Sequence, residues 1–175
     1  GDDERGDYIY RFVSAEKFDP AKTTKARRHN LTLLTKGTLS VAKFTGDGSD
    51  DGEYDGTGRW IHLCTDTTSF VPGMSVADVL LFTRLAADLM GPTKMDRPED
   101  VEPNLVNGKV YAALTNNSNR GKPELPVDEA NPIGSSMVRA SLSAPLTSAS
   151  GNRNGYVLEM TPTGGHETNV FTWDL

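Results

Sequence analysis

The amino-acid sequence predicts a mainly β, antiparallel fold with one sizeable helix, part of a barrel, a sandwich or a propeller. Three observations carry this. Short runs of β-branched and aromatic residues recur at near-regular spacing, separated by turn residues. The 175 residues include 17 Gly and 10 Pro, a supply of turn formers that a helical bundle does not need. One segment alone, Ser75 to Met90, carries a clear helical period.

Each element has its own signal. Tyr8-Ile9-Tyr10-Arg11-Phe12-Val13 is aromatic and β-branched, a strand. Asp19-Pro20-Ala21 opens a turn, and Thr24 to Leu34 suits a short helix. In Gly37 to Phe44, Leu39, Val41 and Lys43 fall on one face of a strand. Gly46 to Gly58 is Gly/Asp-rich and reads as a long loop, after which Arg59 to Leu63 returns as a short strand. Ser75 and Asp78 form a capping box ahead of a stripe of Leu81, Leu85 and Leu89, widened by Val76, Phe82 and Ala86. Gly91-Pro92 ends that helix, predicted around 75–91. Asn107-Gly108 is a hairpin turn, and Val110 to Leu114 is the strand after it. The polar stretch 116–154 is too long for an ordinary connector and reads as either a functional or a mobile loop. Gly155 to Met160 and Asn169 to Trp173 are the last two strands.

Charge and composition exclude several classes. Lys+Arg is 18 and Asp+Glu is 24, a net charge of -6 that argues against nucleic acid as the main partner. No 18-residue apolar run is present to span a bilayer. The single cysteine, Cys64, leaves no internal disulfide framework and no cysteine-rich zinc module, and its strand context makes it a small packed residue. The chain enters a strand-like run soon after Gly1 and stops at Phe171-Thr172-Trp173-Asp174-Leu175 with no polar tail, which predicts a piece of something longer.

The chemistry-bearing candidates are carboxylates. Asp47, Ser49, Asp51 and Gly52 match positions 1, 3, 5 and 6 of a calcium loop, but Gly58 stands where the bidentate Glu belongs, so a solvated hairpin loop is the simpler reading. In Met95-Asp96-Arg97-Pro98-Glu99-Asp100, Asp96 and Glu99 flank a stiff turn. Two carboxylates held close favour a hard cation between them, and Arg97 offers a fork to a phosphate or carboxylate; a plain charged turn is the competing reading. Asp2-Asp3-Glu4 is a second carboxylate cluster before a strand, or simply a charged end. Asn116 and Asn117 follow a strand, with amide oxygens that suit either a cation or a turn. His29, His62 and His166 have no ligand-like spacing, and no nucleophile elbow, P-loop or dinucleotide fingerprint occurs.

Four blocks in order resemble one family: Gly1 to Arg5 running into Tyr8 to Ser14; Lys36 to Phe44; Thr83 to Asp88 through Met95 to Glu99; and Val110 to Ser118. The ending Phe171 to Leu175 fits as well. Together they resemble the PhoX-type alkaline phosphatases over nearly the whole chain. The resemblance implies that 1–175 is one partial β-propeller section, a later part of a larger catalytic domain; the long loops at 46–58 and 116–154 are read from the residues themselves, and the first looks longer than the family's turn there. It implies hydrolysis of phosphate monoesters at a calcium-dependent site that also holds iron, set at the propeller's central channel. It implies export to the periplasm or beyond by a signal peptide upstream. Carried over by motif, Glu4 and Asp96 are metal ligands and Glu99, Asn116 and Asn117 are further candidates; Arg97, for its fork, is the candidate catalytic residue. Tyr156 stands where the family pattern leads one to expect a histidine, and Cys64 is not in the context of the family's iron-binding cysteine. The expected partners are a phosphate monoester and the rest of the parent propeller, or a second copy through exposed sheet edges. The competing reading is a non-catalytic section, calcium-binding or only structural, since fold does not dictate chemistry; a lactonase-like calcium hydrolase is a third.

Overall fold

The computed structural model describes residues 6–49, 52–117, 119–132 and 155–175. Seven antiparallel strands form a sheet in the order β1-β2-β3-β7-β6-β5-β4. They are β1 Tyr10–Ser14, β2 Gly37–Gly46, β3 Asp55–Thr65, β4 Pro98–Pro103, β5 Val110–Leu114, β6 Tyr156–Pro162 and β7 Val170–Asp174. Among the described residues three short helices, α1 Thr24–Asn30, α2 Val76–Leu81 and α3 Thr83–Met90, lie between strands. The chain is mainly β and antiparallel, as the strand pattern predicts.

The chain divides into two compact units, and β2 and β3 contribute to both. The first comprises Gly1–Ile9, Lys43–Arg59 and Thr93–Leu175. Its sheet pairs β4 with β5, β5 with β6, β6 with β7, and the start of β3 with β7. Alternation decides the core: Leu158 and Met160 of β6 and Phe171 and Trp173 of β7 are buried at every second position. Phe44 meets Phe171 and Trp173 edge-on, at 5.3 Å and 5.9 Å between ring centroids. The Trp173 indole N–H donates to the carbonyls of Thr45 (3.2 Å) and Thr57 (3.0 Å), so the ring is buried with its polar atom satisfied.

The Gly-rich approach to β3 is strand rather than loop. Pairing begins at Asp55, opposite Asp174, four residues before the expected strand. Gly58 is needed there because the Phe171 ring occupies the space of a side chain, 2.0 Å from where its Cβ would sit. Likewise the charged run after Met95 is a strand. β4 is an edge strand bracketed by Pro98 and Pro103, and its outward charges are what an edge tolerates.

The second unit comprises Tyr10–Ala42 and Trp60–Pro92. β1 pairs with β2 from Tyr10↔Val41 to Ser14↔Gly37. The Arg11 guanidinium lies 4.6 Å over the Trp60 ring. Ser75 and Asp78 form the expected capping box: Ser75 Oγ accepts the Asp78 N–H at 3.2 Å, and Asp78 Oδ2 accepts the Ser75 N–H at 2.9 Å. The predicted single helix is two. Phe82 leaves helical geometry at φ -117, ψ 45, and the Thr83 hydroxyl takes the Leu80 carbonyl at 3.1 Å. The break overturns the expected stripe. Val79, Ala86 and Ala87 are buried, whereas Leu81, Leu85 and Leu89 are exposed. Gly91, at φ 64, closes α3 with a left-handed cap before Pro92.

Candidate functional site

One end of the β4–β5–β6 sheet gathers the chemistry of the first unit. β4 and β5 pair from Pro98↔Leu114, and β5 and β6 from Leu114↔Tyr156. That register sets Asp96, two residues before β4, and Asn116, two residues after β5, at the same end as Tyr156. The Thr115 N–H donates to the Arg97 carbonyl at 3.3 Å and ties the two segments together. Asp7 bridges Met95 with both backbone hydrogen bonds, Asp7 N–H to Met95 O at 3.1 Å and Met95 N–H to Asp7 O at 2.8 Å. The chain segment that follows the Asp2-Asp3-Glu4 block therefore runs beside the residue preceding Asp96.

Asp96 is the centre of this end. It is 2% exposed. Its Oδ1 accepts Arg120 Nε–H at 2.9 Å and pairs with Arg120 Nη2 at 2.8 Å. Its Oδ2 accepts the Tyr156 hydroxyl at 2.8 Å. Its backbone N–H donates to Asn131 Oδ1 at 3.1 Å. Arg120 is buried with it, 1% exposed, and also donates from Nη1 to the Pro126 carbonyl (2.9 Å) and from Nη2 to the Lys94 carbonyl (2.7 Å). Asn131 Nδ2 donates to Asp128 Oδ1 (2.8 Å) and to the Lys94 carbonyl (3.1 Å). A buried ion pair persists only when its remaining donors and acceptors are met, and here they are. Burial, with the Asp96 charge beside it, pushes the Tyr156 phenol far above its ordinary range.

The other sequence-predicted residues stand as follows. Arg97 is half-buried at φ 41, a left-handed conformation unusual for a non-glycine residue, directly before Pro98. Its Nε lies 3.6 Å from Glu99 Oε1, and Glu99 is exposed on β4. Asn116 is half-buried and Asn117 buried. Asn117 Nδ2 and Thr115 Oγ1 are buried and have no hydrogen-bond partner among the described residues. Glu4 lies outside the described residues. The structure thus brings Asp96, Arg97 and Asn116 to one sheet end, with Glu99 on the strand leading away.

Sequence reading missed Arg120 and Asn131, both inside the polar stretch after Asn116. Arg120 looks like one more loop charge; only its burial reveals it. Asp51 of the acidic loop lies outside the described residues. Asp47 accepts the Ser49 N–H (2.7 Å) and hydroxyl (2.9 Å), which hold its carboxyl below the usual range, and Gly48 N–H donates to Glu129 at 3.3 Å.

A hard cation is compatible with Asp96, whose carboxylate keeps lone-pair capacity beyond Arg120 and Tyr156. No group of three His, Cys, Asp or Glu side chains that could hold a metal ion occurs among the described residues. Asp96 can therefore supply one ligand of a larger set, not the set itself.

The family model for alkaline phosphatase PhoX matches residues 1–175. The chain belongs to the PhoX family. Among solved structures it is similar to Pseudomonas fluorescens PhoX in complex with vanadate, a transition state analogue, with 36% identity and a TM-score of 0.76. That match covers 100% of this chain and 27% of the other, so the chain spans about a quarter of its structural relative. None of the curated proteins compared matches the chain. The match supports the mainly β, antiparallel fold that the sequence predicts.

Proposed function

We propose that the chain is a section of a phosphate monoesterase, and that Asp96, with Glu4 from the preceding block, holds a calcium ion in a site that also contains iron. The observation that carries this reading is the convergence of the family blocks. Asp7 bridges Met95, and the segments around Asp96 and Asn116 meet at one sheet end. Phosphate monoesters hydrolyse extremely slowly unaided. Bound cations would neutralise the phosphoryl oxygens and stabilise the leaving oxygen. The residues of this chain would do the holding and orienting. Asp96 fixes one oxygen ligand in a buried, water-excluded position. Glu99 and Asn116 are the secondary ligand candidates. Arg97, half-buried beside them, is suited to bind a phosphoryl oxygen through its planar fork. Asn117 Nδ2 and Thr115 Oγ1, buried donors without partners among the described residues, supply two more hydrogen-bonding groups at the same end.

The remaining ligands, and those for iron, must come from outside the described residues, in the rest of the parent propeller. Export to the periplasm or beyond is part of the same proposal. Hydrolysis of p-nitrophenyl phosphate by the enzyme that carries this section tests it. Activity should fall at least a hundredfold in Asp96→Asn and disappear on calcium chelation. Full activity in Asp96→Asn would overturn it and leave the section as scaffold.

A further inference from the structure

The charge of this acidic chain is unevenly placed. The segment from Lys17 to Lys36, in the second unit, holds six of the 18 Lys and Arg residues and one of the 24 Asp and Glu residues. Its single acid, Asp19, is half-buried and spends Oδ1 on the Ala21 N–H at 2.9 Å. Ala26 is the buried residue of α1, and the face opposite it carries Lys25, Arg27, Arg28 and Leu31, all exposed. Among the described residues Lys22, Lys25, Arg27 and Arg28 form no ion pair. Local helix stability does not account for them all. Arg27 and Arg28 suit the negative end of α1, but Lys25 lies near its start, where a cation opposes the dipole, and no acid stands in that first turn.

Apolar side chains share this surface. Phe18 and Leu31 are 67% and 79% exposed, and with Lys22 and Arg27 they line a cavity of about 570 Å³. The segment holds its shape through its own hydrogen bonds. Asn30 accepts the Asp19 N–H at 2.9 Å and donates to the Asp19 carbonyl at 2.8 Å, and His29 Nε2 donates to the Lys17 carbonyl at 2.8 Å. Little ordering is then left to be done on binding. We propose that this segment docks on an anionic lipid surface, with Lys22, Lys25, Arg27 and Arg28 on the headgroup phosphates and Phe18 and Leu31 entering the interface between them. Charge complementarity selects an anionic partner for the cations. The exposed apolar pair selects a lipid surface among anionic partners, because nothing in a purely polar polyanion rewards Leu31.

Vesicle co-sedimentation of the enzyme that carries this section tests the proposal. The wild type should bind vesicles of phosphatidylglycerol mixed with phosphatidylcholine, should ignore pure phosphatidylcholine, and should bind less as salt rises. Changing Lys22→Gln, Lys25→Gln, Arg27→Gln and Arg28→Gln together should weaken vesicle binding at least about tenfold. Hydrolysis of p-nitrophenyl phosphate in solution should stay at the wild-type level, which also shows that the variant is folded. Phe18→Ser with Leu31→Ser should leave weaker binding that moderate salt abolishes. Absence of wild-type binding to the anionic vesicles, which needs no variant to fold, overturns the proposal and leaves the segment to the rest of the parent or to a second copy. Equal binding to both lipid mixtures, or wild-type binding by the folded Gln variant, overturns it as well. Displacement by inorganic phosphate at matched ionic strength would mean that the cavity takes a free anion, and would equally overturn the membrane assignment.

Discussion

The Tyr156 hydroxyl donates to Asp96 Oδ2 at 2.8 Å, joining the first residue of β6 to a carboxylate 60 positions earlier in the chain. The contact has a pH signature. Burial first, and the Asp96 charge second, raise the Tyr156 phenol well above its ordinary value near 10. In the unfolded chain Tyr156 ionises at about pH 10, while in the folded chain it stays neutral. Its contribution to stability is therefore fully present below about pH 10 and is lost as pH rises beyond it. Absorbance titration at 295 nm should show one of the five tyrosines resisting ionisation until the protein unfolds. All five titrating together near pH 10 would contradict the buried contact.

The Arg120–Asp96 pair predicts an asymmetric mutational response. Removing one partner strands the other charge in the interior, at a cost of about 3–5 kcal/mol. Arg120→Met and Asp96→Ala should each destabilise the chain by that order in urea denaturation. The double variant should cost clearly less than the sum of the two, because no unpaired charge remains. Additive losses would show that the two side chains act independently.

Gly155 sits immediately before Tyr156 at φ 74, and a Cβ there would lie 2.0 Å from the Leu114 carbonyl oxygen. Gly155→Ala meets both backbone strain and a clash with the neighbouring strand, so it should destabilise the protein by about 1–3 kcal/mol or more. It should also disturb the Tyr156–Asp96 contact. Thermal unfolding and the tyrosine titration read the two effects separately, and a variant with wild-type behaviour in both would refute the strain argument.

Trp173 separates packing from hydrogen bonding. Trp173→Phe keeps an aromatic ring beside Phe44 but leaves the carbonyls of Thr45 and Thr57 without the indole donor. It should cost about 1–3 kcal/mol. Trp173→Ala also opens a cavity and should cost about 3–5 kcal/mol. Equal losses in denaturant titrations would mean that the ring contributes nothing beyond its hydrogen bonds.

Much of the fold was legible because period-2 apolar patterns are local. The strands around Val41, Ala112, Leu158 and Trp173 announce themselves, and the Ser75–Asp78 capping box needs only its own four residues. The errors lie where a distant partner decides. Nothing near Gly58 shows that Phe171 fills its side-chain space, so a strand reads as loop. The Leu81, Leu85, Leu89 stripe presumes an unbroken helix, and the Thr83 hydroxyl competes for the Leu80 carbonyl and breaks it. At the site, Asp96, Arg97 and Asn116 were found through a motif resemblance and the sheet register explains their convergence. Arg120 carries no local signal, since its partners Asp96 and Lys94 lie 24 and 26 positions earlier in the chain.

The most direct test of the account is equilibrium dialysis against buffered calcium, followed by elemental analysis, of the enzyme that carries this section, as wild type and with Asp96→Asn. Stoichiometric calcium in the wild type, absent from a folded Asp96→Asn protein, is the predicted result. Equal calcium in both proteins, or none in either, would contradict Asp96 as a calcium ligand of this chain.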